Sequence, residues 1–169
     1  IRLLRSQVGA LVLNANGDGA RFADYGLPVA ADVIAGQAGP LAGVLTGMEW
    51  AAGNVPDAEF VMTVPTDTPF LPADLVERLS TALIEANADI ACVASGGRAH
   101  PVPALWRIGL APRLRADMIE RDARKVDGWT ATQNLTQAEW PSDPVDPFFN
   151  VNRREDLARA ETLARLQID

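Results

Sequence analysis

Residues 59–72 read EFVMTVPTDTPFLP, and the reading of this stretch decides the fold. Phe60, Val61, Met62 and Val64 form a short apolar run that stops at Pro65. A run of that length, bounded by turn residues, reads as a buried strand of a parallel sheet. One carboxylate, Asp67, follows it. Thr68 and Pro69 make a turn, and Pro72 is expected to open a strongly periodic helix. Proline suits the first helical position, whose N–H has no intrahelical partner. Open α/β sheets bind ligands in the crevice beyond the carboxyl ends of their strands, so a functional site is expected around Asp67.

The chain has 169 residues, enough for one domain with a sizeable core, and residues 1–169 are read as a single domain. Fifteen basic against twenty-two acidic residues give a formal charge of −7. That balance argues against a general nucleic-acid binder, whose affinity comes from neutralising phosphates. It leaves room for a nucleotide, which one metal ion and a few backbone N–H groups can hold. No apolar run approaches the roughly 20 residues that cross a bilayer, so no membrane association is expected. Ile1–Val8 carries two arginines and no small-residue cleavage site, which does not read as a signal peptide. Cys92 is the only cysteine and His100 the only histidine. Neither a disulfide within the chain nor a Cys- or His-based metal cluster can be assembled from them, and a reducing, cytoplasmic setting fits.

Working outward, Ile1–Gln7 reads as a helix tail and Gly9–Leu13 as a short strand ending at Asn14. Ala20–Tyr25 reads as a short helix closed by Gly26; Leu27–Ala31 is a strand, and Asp32 follows it. Asn14, Asp32 and Asp67 thus stand in the same relation to three strands, which favours a shared pocket over three unrelated turns. Gly36–Pro40 reads as a loop and Leu41–Ala52 as a helix, with Gly39, Gly43 and Gly47 recurring every four residues. Glycine inside a helix costs about 1 kcal/mol relative to alanine, so the stripe marks a close approach. Tight packing on the sheet and a ligand at the helix N-terminus, where free N–H groups favour anions, both account for it. Pro72–Asn87 is the clearest helix, with Leu75, Val76, Leu79, Leu83 and Ile84 as its apolar stripe.

Ala88–Ala94 reads as the next strand, with Cys92 as core, and Val102–Trp106 as an edge strand containing Pro103. His100 reads first as a hydrogen-bonded loop or core residue. Ile108–Arg121 is a helix, followed by the basic pair Arg124 and Lys125, which reads either as a solvated helix start or as a contact for a phosphorylated substrate. Leu135–Trp140 is a short strand, expected antiparallel. In Phe148–Asn152 two asparagines, Asn150 and Asn152, would point to one side of an extended segment, and Arg153–Gln167 closes the chain as an amphipathic helix with Leu157 and Ala160 on its buried face. Strands alternating with helices predict an α/β fold, a mostly parallel sheet with a mixed edge and helices on both faces.

Taken together, LNAN, GPLAG, VPTDTPFLPADL, HPV, RKVDGWT and FFNVNRREDL resemble the molybdenum cofactor guanylyltransferases of MobA type over essentially the whole chain. The resemblance implies a Rossmann-like, three-layer nucleotidyltransferase fold. It implies an enzyme that joins GMP from GTP to molybdopterin-type cofactor with Mg²⁺, releasing pyrophosphate. Carried across motif by motif, Asn14 and Asp32 would contact the guanine nucleotide, and Gly39, Pro40, Leu41 and Gly43 would shape its pocket. Asp67 would bind Mg²⁺ as well as nucleotide, and Asn150 and Asn152 would lie near the metal or the pterin. His100, Arg124 and Lys125 would face the cofactor. Molybdoenzyme apoproteins or chaperones are the protein partners implied. The family also begins with a strand and a glycine-rich loop, carrying an arginine and a lysine, that wrap the triphosphate. These are expected upstream of Ile1, and the chain as given would be inactive without them.

The chemistry implied is in-line attack of a substrate phosphate oxygen on the α-phosphorus of GTP. It needs charge neutralisation and alignment more than a protein base. Mg²⁺ uses one or two carboxylates plus phosphates and waters, so one aspartate suffices. The alternatives are a CTP-using cofactor cytidylyltransferase, a sugar-1-phosphate nucleotidyltransferase, and, in another class, a non-catalytic nucleotide-fold binding module.

Overall fold

The computed structural model describes residues 1–36 and 39–166. In chain order the elements are α1 (Arg2–Arg5), β1 (Leu13–Asn14), a 3-10 helix (Gly19–Tyr25), β2 (Val29–Ala30), α2 (Pro40–Asn54), β3 (Phe60–Thr63), α3 (Leu75–Glu85), β4 (Ile90–Ser95), β5 (Arg98–Arg107), a 3-10 turn (Ile108–Leu110), α4 (Ala111–Glu120), α5 (Val126–Thr130), β6 (Leu135–Trp140) and α6 (Arg154–Leu166). Part of the loop expected at Gly36–Pro40, residues 37–38, and the end of the last expected helix, at Gln167, lie outside the described residues.

The strands form two sheets. β1 and β2 pair in parallel, and β3, β5, β4 and β6 lie side by side in that order. β4 and β6 are parallel, while β5 runs antiparallel to both β3 and β4. Three strands of the larger sheet therefore share one direction, and their carboxyl ends open on one side. Every residue of β4 is buried, and its side chains alternate between two cores as the period of two requires. Ile90 and Cys92 join Leu41, Leu45, Met48, Leu114, Trp106 and Trp129 on the face covered by α2, α4 and α5. Ala91 and Val93 join Leu75, Leu79, Leu83, Leu105 and Trp140 on the face covered by α3. Helices on both faces of one sheet make three layers, as the alternation of elements predicts.

Several local expectations are corrected. The strand expected over Gly9–Leu13 narrows to Leu13–Asn14, because only there does β2 offer a partner; Asn14 is its last residue rather than the first beyond it. β3 is half-buried along its whole length rather than fully buried, since β5 pairs with one edge and its other edge has no strand partner among the described residues. Val102–Trp106 is not an edge strand. It belongs to the ten-residue β5, between β3 and β4. Pro101 and Pro103 are tolerated there because the β4 register jumps from Cys92↔Ala104 to Val93↔His100, and a bulge removes the need for their absent N–H groups. β6 is parallel to β4, not antiparallel.

Pro72 does not open a helix; α3 begins at Leu75, with Asp74 before it, and the Pro72 carbonyl accepts instead from Gln7 Nε2 at 3.1 Å. On α3, Leu75, Leu79 and Leu83 are fully buried, while Ile84 is 66 % exposed. Leu157 is likewise exposed, and Ala160 is buried. The glycine stripe of α2 serves close packing: a Cβ on Gly47 would stand 3.3 Å from Val61 of β3.

Leu83→Ala is expected to cost about 2–5 kcal/mol in chemical denaturation, whereas Ile84→Ser should stay within about 0.5 kcal/mol of the parent. Equal losses would contradict this assignment of the buried face.

Candidate functional site

Two polar groups meet at the N-terminal turns of α2. The first lies where β1 and β2 end. Asn14 Nδ2 donates to Asp32 Oδ1 at 2.9 Å and to the Ala30 carbonyl at 3.1 Å. Asn16 Nδ2 donates to Asp32 Oδ2 at 2.8 Å, and the Asp32 N–H returns a 2.8 Å bond to Asn16 Oδ1. Both oxygens of Asp32 are thereby oriented while the residue is only half-buried. Gly43 makes room for this arrangement, since a Cβ there would stand 2.6 Å from Asn14 Oδ1.

The second group gathers in a cleft lined by Pro40, Asp67, Arg98, His100, Phe148 and Asn150, among others. Asp67 follows β3 and is half-buried, and its Oδ1 is enclosed without a hydrogen-bond partner among the described residues. The neighbouring Thr68 is buried, and its hydroxyl donates to Asn150 Oδ1 at 3.2 Å. The Val151 N–H donates to the Asp67 carbonyl at 2.8 Å. Two loops separated by more than eighty residues are thus stitched together, side chain to side chain and backbone to backbone. A buried carboxylate oxygen left unpaired is costly, and a hard cation with oxygen ligands is the partner that such an atom suits. No cluster of three or more His, Cys, Asp or Glu that could hold a metal occurs among the described residues, so a cation here would rely on Asp67 and on ligands brought by a substrate.

Pro40 of the cleft and Gly43 beneath Asn14 are three residues apart on α2, about 4.5 Å along its axis. The two groups are therefore neighbours. Gly39 adopts φ +71, and a Cβ there would stand 3.1 Å from the Arg124 carbonyl, so the N-terminus of α2 also abuts the loop before α5. Leu41 is fully buried in the core and is not among the cleft's lining residues.

The remaining candidates separate. Arg124 and Lys125 line a different pocket, with Asp117, Asp122 and Trp129, and Arg124 pairs with Asp122 at 2.6 Å. Asn152 is exposed outside the cleft lining. Its N–H and that of Arg153 are capped by Asp156 Oδ2 at 3.0 and 2.8 Å, which ties it to the start of α6. Cys92 is buried, and burial pushes its thiol up to about 11, which keeps it out of nucleophilic chemistry at neutral pH. Burial also holds the His100 imidazole below its usual range, partly offset by Asp146 and reinforced by Arg98. Sequence reasoning did not single out Asn16, Thr68, Ser95 or Asp146. Asn16 lies two residues after Asn14 and carried a visible signal; the other three act through partners far away in the chain.

A MobA-like NTP transferase domain matches residues 1–135. The chain belongs to the MobA-like NTP transferases. It is 54% identical to a molybdenum cofactor guanylyltransferase of Rhodopseudomonas palustris (strain HaA2), over 98% of this chain and 78% of that protein. It is 47% identical to one of Nitrobacter hamburgensis, over 98% and 79%. Among solved structures, the molybdopterin-guanine dinucleotide biosynthesis protein A of Archaeoglobus fulgidus superposes with a TM-score of 0.71 at 17% identity, covering 97% of this chain and 84% of that one. The 2-C-methyl-D-erythritol 4-phosphate cytidylyltransferase of Thermus thermophilus gives 0.62 at 16%, covering 97% and 86%. At such low identity these two speak for the fold, which is that of nucleotidyltransferases. No helix among the described residues of this MobA-like chain is long and apolar enough to cross a membrane.

Gly43→Ala should change the melting temperature little, because the roughly 1 kcal/mol by which alanine favours the helix is offset by the hydrogen bonds to Asp32 and Ala30 that a displaced Asn14 gives up. It should weaken nucleotide binding by displacing Asn14. Calorimetry paired with nucleotide titration checks this, and unaltered affinity would count against the role of Asn14.

Proposed function

We propose that this chain transfers GMP from GTP to a molybdopterin-type cofactor and releases pyrophosphate. The observation that carries the reading is the enclosed, unpartnered Oδ1 of Asp67, in a cleft also lined by Asn150, which is tied to the neighbouring Thr68. Family membership and the names of the relatives support the same reaction. Mg²⁺ fits Asp67, since it commonly takes one or two carboxylates and completes its shell with phosphates and waters. When bound it would neutralise charge on the phosphates.

The protein's own contribution is alignment. The N-terminus of α2, at Gly39 and Pro40, turns the positive end of the helix dipole toward phosphate oxygens, although Pro40 itself has no N–H to donate. Asp32, held by Asn14 and Asn16, keeps lone pairs free to accept from the adjacent N1–H and amino donors of a guanine edge; a carboxylate is an acceptor only, which suits two neighbouring donors. Asn150 and His100 line the same cleft, and the acceptor phosphate would approach beside them. A substrate phosphate oxygen forms the new bond to the α-phosphorus as the bond to the β-phosphate oxygen breaks. The nucleophile is already an anion, so no side chain needs to remove a proton. Arg124 and Lys125, though in a neighbouring pocket, are close enough through Gly39 to receive the distal part of a bulky cofactor. The family's glycine-rich loop would complete the triphosphate site. We take the setting to be the cytoplasm and the eventual recipients to be molybdoenzyme apoproteins or their chaperones.

Pyrophosphate release measured with molybdopterin and either GTP or CTP tests the reading. GTP should be preferred, and Asp67→Asn should lower the GTP rate by about 100-fold or more with the melting temperature retained. Preference for CTP would favour the cytidylyl alternative. Absence of release with either nucleotide from a protein that also carries the family's glycine-rich loop would favour a binding module.

A further inference from the structure

Ser95, the last residue of β4, is 2 % exposed, and its hydroxyl touches two partners. Oγ lies 2.9 Å from Asp146 Oδ1 and 2.9 Å from His100 Nε2. The same Asp146 oxygen accepts the Phe148 N–H at 2.9 Å. A carboxylate only accepts, so the single hydroxyl proton of Ser95 goes to Asp146. Ser95 then has only lone pairs to offer His100, and the ring must donate from Nε2. This order rules out a nucleophilic serine. In a hydrolytic triad the histidine takes the serine proton and the carboxylate orients the histidine; here the hydroxyl sits in the middle, buried and committed to the carboxylate.

The other ring nitrogen, Nδ1, has no hydrogen-bond partner among the described residues, and unlike Asp67 Oδ1 it is not enclosed. His100 lines the same cleft as Asp67 and Asn150. The Phe148 ring lies 5.7 Å from the imidazole and is itself tied through its backbone to Asp146, so ring plane and ring edge are both held.

We propose that Asp146 and Ser95 lock His100 as the Nε2–H tautomer, so that its Nδ1 lone pair accepts an N–H or O–H donor of the acceptor substrate in the cleft. Asp146 and Ser95 are positioning residues that touch no substrate. His100 then discriminates by hydrogen bonding: a pterin-type ring, which carries several N–H donors, satisfies Nδ1, and a bare sugar phosphate has to supply a hydroxyl at the same place. The substrate contact rests on the reading of this cleft as the acceptor side of the transferase; the tautomer lock does not.

Because His100 is the only histidine, a nitrogen NMR spectrum of the full chain labelled in histidine reads this one ring without assignment. At pH 8 it should show a protonated Nε2 and a bare Nδ1, and Ser95→Ala should release a tautomer mixture. A protonated Nδ1 in the parent, or an identical spectrum in a folded Ser95→Ala, overturns the lock; the parent spectrum alone decides it if that variant does not fold. His100→Gln keeps an amide donor for Ser95 but places no acceptor where Nδ1 stands, since its one carbonyl oxygen is on the same carbon as the donating nitrogen. It should bind molybdopterin about tenfold more weakly, the loss of one hydrogen bond, and bind GTP unchanged. Equal molybdopterin affinity overturns the substrate contact. A parent chain that binds neither ligand brings down the transferase reading, and the contact with it, while the spectrum still judges the lock.

Discussion

A carboxylate oxygen shut away from water without a partner is among the more expensive things a small domain can hold, and Asp67 Oδ1 is held that way. The surrounding structure is built to keep it there. β3 delivers the residue, the Val151 N–H pins its carbonyl, and Thr68 reaches across to Asn150. Each of these bonds joins segments remote in sequence, so the position of Asp67 is a property of the whole fold and not of one loop. Functional sites are where such strain is tolerated, and a hard cation brought by a phosphorylated substrate would relieve it.

α2 is the second constraint. It packs against both sheets, and its glycines let it come close: Gly43 beneath Asn14 and Gly47 beneath Val61. Both contacts are the close packing that the stripe implied. Removing side chains from one helix face brings the hydrogen-bonded network of Asn14, Asn16 and Asp32 within a turn of the cleft that contains Asp67. The larger sheet does the rest by placing the carboxyl ends of β3 and β4 on one side, where Asp67 and Ser95 emerge.

Much of this was legible in the sequence, for physical reasons that can be named. The strand–helix alternation gave the layers because buried parallel strands are short, apolar and closed by turns. Asp67, Asn14 and Asp32 stood out because each marks the end of such a strand. What stayed hidden depended on partners. The interior place of β5 could not be read past Pro101 and Pro103, because the bulge that accommodates them is a feature of its pairing with β4. The parallel sense of β6 is set by β4. Ile84 fits a helical stripe by spacing, yet α3 turns Leu75, Leu79 and Leu83 inward and leaves it outside. The Asp146–Ser95–His100 chain joins residues up to fifty-one positions apart, and nothing local announces it. The separation of Arg124 and Lys125 from the Asp67 cleft is likewise a matter of where α5 packs.

The most direct measurement is anomalous diffraction from crystals grown with GTP and Mn²⁺ as a heavier stand-in for Mg²⁺. The account predicts a metal peak bonded to Asp67 Oδ1 and to oxygens of the nucleotide phosphates, between the N-terminus of α2 and Asn150. A nucleotide-bound metal coordinated elsewhere, with Asp67 Oδ1 still unpartnered, would contradict it.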